Sequence, residues 1–137
     1  MSADSNSVRS PAPSDRPPVR EQASRLAYTI AAVAGMALWL ATSAIGARSE
    51  PWDAPIYWTI AYPVAVVLAA VLGYLFPQRP WRWALTLMFM QAAVMLLGGA
   101  GFGLLPLGLV LLAVLSLPAV LFAWLGARLR LRAKGNE

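Results

Sequence analysis

"GYLFPQRPWRWAL", residues 73–85, sets two prolines, two arginines and two tryptophans between two long apolar runs. Pro77 and Pro80 suit the end of one helix and the start of the next, because proline lacks an amide donor but fits a first helical turn. The run before this turn, Tyr57 to Phe76, has 20 residues and no charge. The run after it, Trp81 to Leu97, has 17 residues with one charge, Arg82, at its edge. A helix needs roughly 17–25 apolar residues to cross a hydrocarbon core. The stretch therefore predicts a hairpin of two membrane helices. Two further runs, Leu26 to Ala47 and Leu104 to Leu125, have 22 residues each and no charge. Lipid offers the backbone no hydrogen-bond partners, so each run is expected to be helical.

The totals agree. Of the 137 residues, 59% are hydrophobic and 12% charged, with a mean hydropathy of +0.61. Soluble domains carry about 25% charged residues. There is no cysteine and no histidine, which excludes disulfides, thiolate nucleophiles and imidazole relays. The net charge of +5 does not point to nucleic acid, because the basic residues flank the apolar runs rather than covering a soluble face.

Their distribution sets an orientation. Arg9, Arg16, Arg20 and Arg25 precede the first run, Arg79 and Arg82 lie in the quoted turn, and Arg128, Arg130, Arg132 and Lys134 follow the last. Only Arg48 falls on the other side. The positive-inside rule places both termini and the quoted turn in the cytoplasm. Arg79, Trp81, Arg82 and Trp83 are expected as interfacial anchors there.

The expected fold class is thus an all-α integral membrane protein with four transmembrane helices, at about residues 26–47, 57–76, 81–97 and 104–125. Residues 1–25 are expected as a disordered cytoplasmic tail, 26–127 as the four-helix domain and 128–137 as a basic cytoplasmic tail. The first run is longer than the apolar core of a signal peptide and is read as retained.

Few residues can carry chemistry. The loop "ARSEPWDAPIYW", residues 47–58, holds Arg48, Glu50 and Asp53. Two carboxylates supply too few oxygens for a hard cation, and a polar turn is the expected role. Gln91 is the one strongly polar side chain deep in a run, on a helix face with Met88 and Met95. A helix-packing hydrogen bond is its first reading, a pore-lining or ligand-facing group its second. A Cu(I) site from Met88, Met90 and Met95 is disfavoured, since Met88 and Met90 fall on different faces. Pro63 and Pro118 lie inside runs and are expected to kink them. Ser116 is expected to satisfy a carbonyl that Pro118 frees. Small residues recur every fourth position at Ala27, Ala31 and Gly35, at Ala61, Ala65, Ala69 and Gly73, and at Ala119, Ala123 and Ala127. Such stripes let helices approach closely, and leave open whether the facing helix belongs to the same chain. "GGAGFG", Gly98 to Gly103, lacks the lysine and strand of a phosphate loop and is read as a flexible turn.

The D-A-P-x-Y-W motif at Asp53 to Trp58 and the F-P-x-R-P-W-R-W motif at Phe76 to Trp83 resemble small four-span bacterial inner-membrane proteins of no assigned activity. The resemblance covers residues 50–125. It implies a bacterial plasma membrane and a four-helix fold, and no activity, cofactor or site residue. Small multidrug exporters use a glutamate in their first span, and this chain has none there. Quinone-reducing thiol enzymes need cysteines, also missing.

The functional expectation is an accessory or scaffold subunit that binds a membrane-protein partner, because no run carries a charge in its interior. The alternative is a small homo-oligomeric transporter or channel, with Gln91, Ser116 and the proline kinks along a path. The residues supply no nucleophile–base pair, no metal site and no cofactor site, so an enzyme is not expected. The bilayer itself is the partner most directly implied.

Overall fold

The computed structural model describes residues 19–46, 54–98 and 105–135, and folds them into four helices. Helix α1 is Val19–Gly46, α2 is Tyr62–Leu75, α3 is Pro80–Leu97 and α4 is Leu105–Gly135. A π-helical turn, Tyr57–Ala61, runs directly into α2. No strand occurs among the described residues.

Three of the helices are long and apolar enough to cross a membrane: α1, the π turn continued by α2, and α4. The segment expected as the third span, α3, is not among them. Its 18 residues rise about 27 Å, and they include Arg82 and Gln91. Gln91 is buried, whereas Arg82 borders an open groove at the start of the helix. Of the four helices, α3 alone packs substantially on every other, so neighbouring helices cover much of its surface.

The residues that meet across interfaces give the directions. Tyr28 lies against Trp83, and Gly35 against Leu87 and Met90, so α1 and α3 run parallel. Tyr62 reaches Leu115, and Gly73 abuts Ala123, so α2 and α4 run parallel. Tyr57 meets Gln91 while Phe76 meets Trp83, so α2 and α3 run antiparallel. The largest interface is α2 on α4, followed by α1 on α3. Helix α1 barely touches α2 and does not touch α4. The bundle is therefore a compact α2–α3–α4 unit with α1 laid along α3.

Small residues make both parallel interfaces. Ala27, Ala31 and Gly35 are buried, as are Ala61, Ala65, Ala69 and Gly73, and Ala119, Ala123 and Ala127. A Cβ at Gly35 would stand 2.7 Å from the Leu87 carbonyl oxygen. A Cβ at Gly73 would collide with the Ala123 carbonyl, and one at Gly126 with the Ala70 carbonyl. Backbones in such contact gain dispersion over many atom pairs, the main attraction between helices in lipid. The stripes are thus filled by helices of the same chain.

Outside, the polarity is inverted. Val33, Val67, Val110 and Leu117 are each at least 60% exposed, among many other exposed aliphatic and aromatic residues. Soluble monomers rarely expose apolar surface on this scale. This is the surface of a membrane protein, its apolar face solvated by hydrocarbon.

Helix ends differ from the expected boundaries. Residues 19–25, expected in the tail, form the first turns of α1, where Arg25 pairs with Glu21 at 2.7 Å one turn apart. Residues 128–135, also expected as tail, continue α4. Arg128 lies 3.6 Å over the Trp124 ring. Apolar patterning marks where a chain can leave hydrocarbon, whereas a helix continues as long as its residues favour it. Pro63 sits in the first turn of α2, and the chain adapts before it: the Tyr62 amide donates to the Tyr57 carbonyl, five residues back. Helix α4 continues through Pro118.

Candidate functional site

A hydrogen-bonded aromatic cluster forms around Tyr57. The π turn is wider than an α-helical turn, and it sets Tyr57 on the same buried side as Ala61 and Ala65. There the Tyr57 hydroxyl donates to Gln91 Oε1 at 3.1 Å. Its ring stacks on Trp39 of α1, with centroids 5.7 Å apart. The Trp39 indole N–H donates to the Leu87 carbonyl at 3.0 Å, one turn before Gln91. Tyr62 stacks on Tyr57 and donates to the Leu115 carbonyl of α4 at 3.0 Å. Trp39, Tyr57, Tyr62 and Gln91 thus join all four helices in the half of the bundle away from the α2–α3 turn.

Gln91 is legible in the sequence, but its partners are not. Trp39 had no signal beyond being one aromatic in an apolar run. Tyr57 stands out only as the first residue of an apolar run and a member of the Asp53–Trp58 motif. Its place at the head of the Ala61–Gly73 stripe, four residues earlier, was the available clue.

Ser116 does not satisfy the carbonyl that Pro118 frees. Its hydroxyl donates to Leu112 at 2.7 Å, one turn back along α4. Thr29, Thr42, Thr59 and Thr86 do the same with the carbonyls of Arg25, Leu38, Pro55 and Arg82. A hydroxyl in a helix reaches that carbonyl without any tertiary contact. This local solution outcompetes the bond expected at Pro118.

The cluster offers hydrogen bonds and ring faces, not reactive groups. An amide and phenols supply no nucleophile–base pair. Among the described residues no three histidine, cysteine, aspartate or glutamate side chains come together. The cleft beside Gln91, between α3 and α4, has a volume of about 20 Å³ and is otherwise lined by apolar side chains and Gly108. It has room for little more than one water. Met88 is fully buried, and Met90 and Met95 partly so.

The basic residues collect at the opposite end. Arg20, Arg79 and Arg82 line one open groove there. Trp81 is 48% exposed, with Arg82 5.2 Å from its ring centre, as an interfacial anchor would be. Trp83 departs from that expectation. It is 2% exposed, and its indole N–H donates to the Phe76 carbonyl at 2.8 Å. Tyr28 and Phe76 pack against its ring. The same residue type plays two parts because Trp83 lies two positions further into α3, on the side that faces α1. Arg48, Glu50 and Asp53 lie outside the described residues. Compared with family models, with curated proteins and with solved structures, the chain finds no match.

Proposed function

We propose that the protein is a four-span inner-membrane protein of a bacterium, with both termini in the cytoplasm, acting as an accessory or scaffold subunit of a membrane complex. One observation carries the functional part. The buried polar side chains Thr42, Gln91 and Ser116 all have hydrogen-bond partners within the chain. Transport paths and proton relays rely on polar or ionisable groups left free to meet a substrate. Here Gln91 and Ser116, the residues a transporter reading would set along a path, are each 2% exposed. The interior acts as a rigid frame, and the chemistry left to the molecule lies on its outside.

Orientation rests on the positive-inside rule. The start of α1, the α2–α3 turn and the end of α4 carry Arg20, Arg25, Arg79, Arg82, Arg128, Arg130, Arg132 and Lys134. The shorter, less apolar α3 crosses as the third span because it is wrapped by its neighbours.

The test is gentle extraction from native membranes, followed by the mass of the intact complex and identification of its components. A larger membrane protein retained in fixed stoichiometry is the expected result. A pure homo-oligomer would overturn the subunit reading and favour an oligomeric transporter.

A further inference from the structure

The groove at the basic end has a neighbour that changes its meaning. The groove itself is an open space of about 630 Å³, with Arg20, Arg79 and Arg82 on its walls, within the volume range of small-molecule sites. Glu21 also borders it, but its carboxylate is held by Arg25 at 2.7 Å. Among the described residues no carboxylate pairs with Arg20, Arg79 or Arg82. The first turn of α3 opens here too, and no side chain caps it, so its backbone adds a positive dipole end.

Next to the groove is a second, mainly apolar cleft of about 180 Å³. The two share Ser24, Gln78 and Trp83 as a common wall. The cleft is bounded by Ala23 on α1 and by Leu75, Phe76 and Pro77 at the end of α2. It exists because α1 packs on α3 and scarcely on α2. A cationic chamber thus opens onto an apolar slot at the end of a membrane helix bundle.

We infer that this joint cavity binds one anionic phospholipid, its phosphate headgroup among Arg20, Arg79 and Arg82 and the start of an acyl chain in the cleft between α1 and α2. Arginine matches phosphate by its forked, permanently charged donors. Basic pockets between membrane helices are suited to such headgroups. The apolar slot separates a lipid from a free phosphate ion, which would use the groove alone. The inference rests on insertion in a membrane, and not on which side the groove faces or on any protein partner.

The test uses the full chain purified in neutral detergent. Retained lipid is counted by native mass spectrometry against phosphatidylglycerol, phosphatidylcholine and inorganic phosphate. One phosphatidylglycerol per chain should be held well above phosphatidylcholine. Arg20→Gln and Arg79→Gln should each weaken retention about fivefold, the effect of one basic residue near an anionic lipid surface. Both residues are exposed, so neither change disturbs the bundle. Ala23→Phe, which fills the slot, should reduce phosphatidylglycerol binding while leaving inorganic phosphate unaffected. Equal retention of the two lipids, or indifference to both arginine changes, would overturn the inference. So would inorganic phosphate displacing the lipid with Ala23→Phe silent, since that result describes an ion site.

Discussion

Gly73 of α2 lies against the backbone carbonyl of Ala123 in α4, with no room for a methyl group between them. Gly126 of α4 stands in the same relation to Ala70 of α2. The two glycines clamp the largest interface in the bundle from both sides. Gly73→Ala should force the helices apart and lower stability by about 1–3 kcal/mol, the usual cost of overpacking. Gly126→Ala should behave alike. Gly135→Ala, which meets nothing within 4 Å, should be neutral. Unfolding in mixed micelles would rank the three, and a silent Gly73→Ala would refute the clamp.

The Tyr57–Gln91 hydrogen bond is expected to be modest. Interhelical bonds in membranes average about 0.6 kcal/mol and rarely exceed 2. A double-mutant cycle of Tyr57→Phe with Gln91→Leu should return a coupling of that order. The Gln91→Leu single variant should keep whatever partner the protein binds. Loss of function with intact assembly would return Gln91 to the role of a substrate-facing group.

Trp81 and Trp83 should separate sharply despite their spacing. Trp83→Phe removes the bond to the Phe76 carbonyl and should cost about 1 kcal/mol. Trp81→Phe leaves its exposed site almost as it was. Thermal melts of the two variants in one detergent would check this. Equal shifts would mean that Trp83 does not secure the turn.

Topology can be read with reporter fusions. A reporter at Gln78 or after Lys134 should report the cytoplasm, and one within residues 99–104 the opposite side. A cytoplasmic signal from residues 99–104 would mean that α3 does not cross, and the four-span reading would fall.

Much of the architecture was legible in the residues. Long apolar runs mark the helices, and fourth-residue spacing of alanine and glycine marks the faces that touch. The identity of each partner was not legible, because a small residue says only that something comes close. Gly73 could have faced a foreign helix, and it faces Ala123. Local geometry hid the rest. Nothing in the run around Pro63 spells out a π turn, in which the Tyr62 amide reaches back to the Tyr57 carbonyl and Tyr57 meets Gln91. Trp83 was misread because the motif that holds it looks interfacial throughout, while helical rotation turns only some of its members outward. For the basic end, charge counting found Arg79 and Arg82, but the cleft beside them depends on α1 leaning away from α2.

The two largest interfaces join helices that are next-but-one in the chain, α1 with α3 and α2 with α4. This orders events during synthesis. Leaving the ribosome, α1 has nothing to rest on until α3 follows it, and the glycine face of α2 stays open until α4 is complete. The nascent protein therefore passes through a stage with two bare small-residue faces in the bilayer. Truncation before α3 would strand it there, whereas truncation before α4 would leave only the α2 face bare.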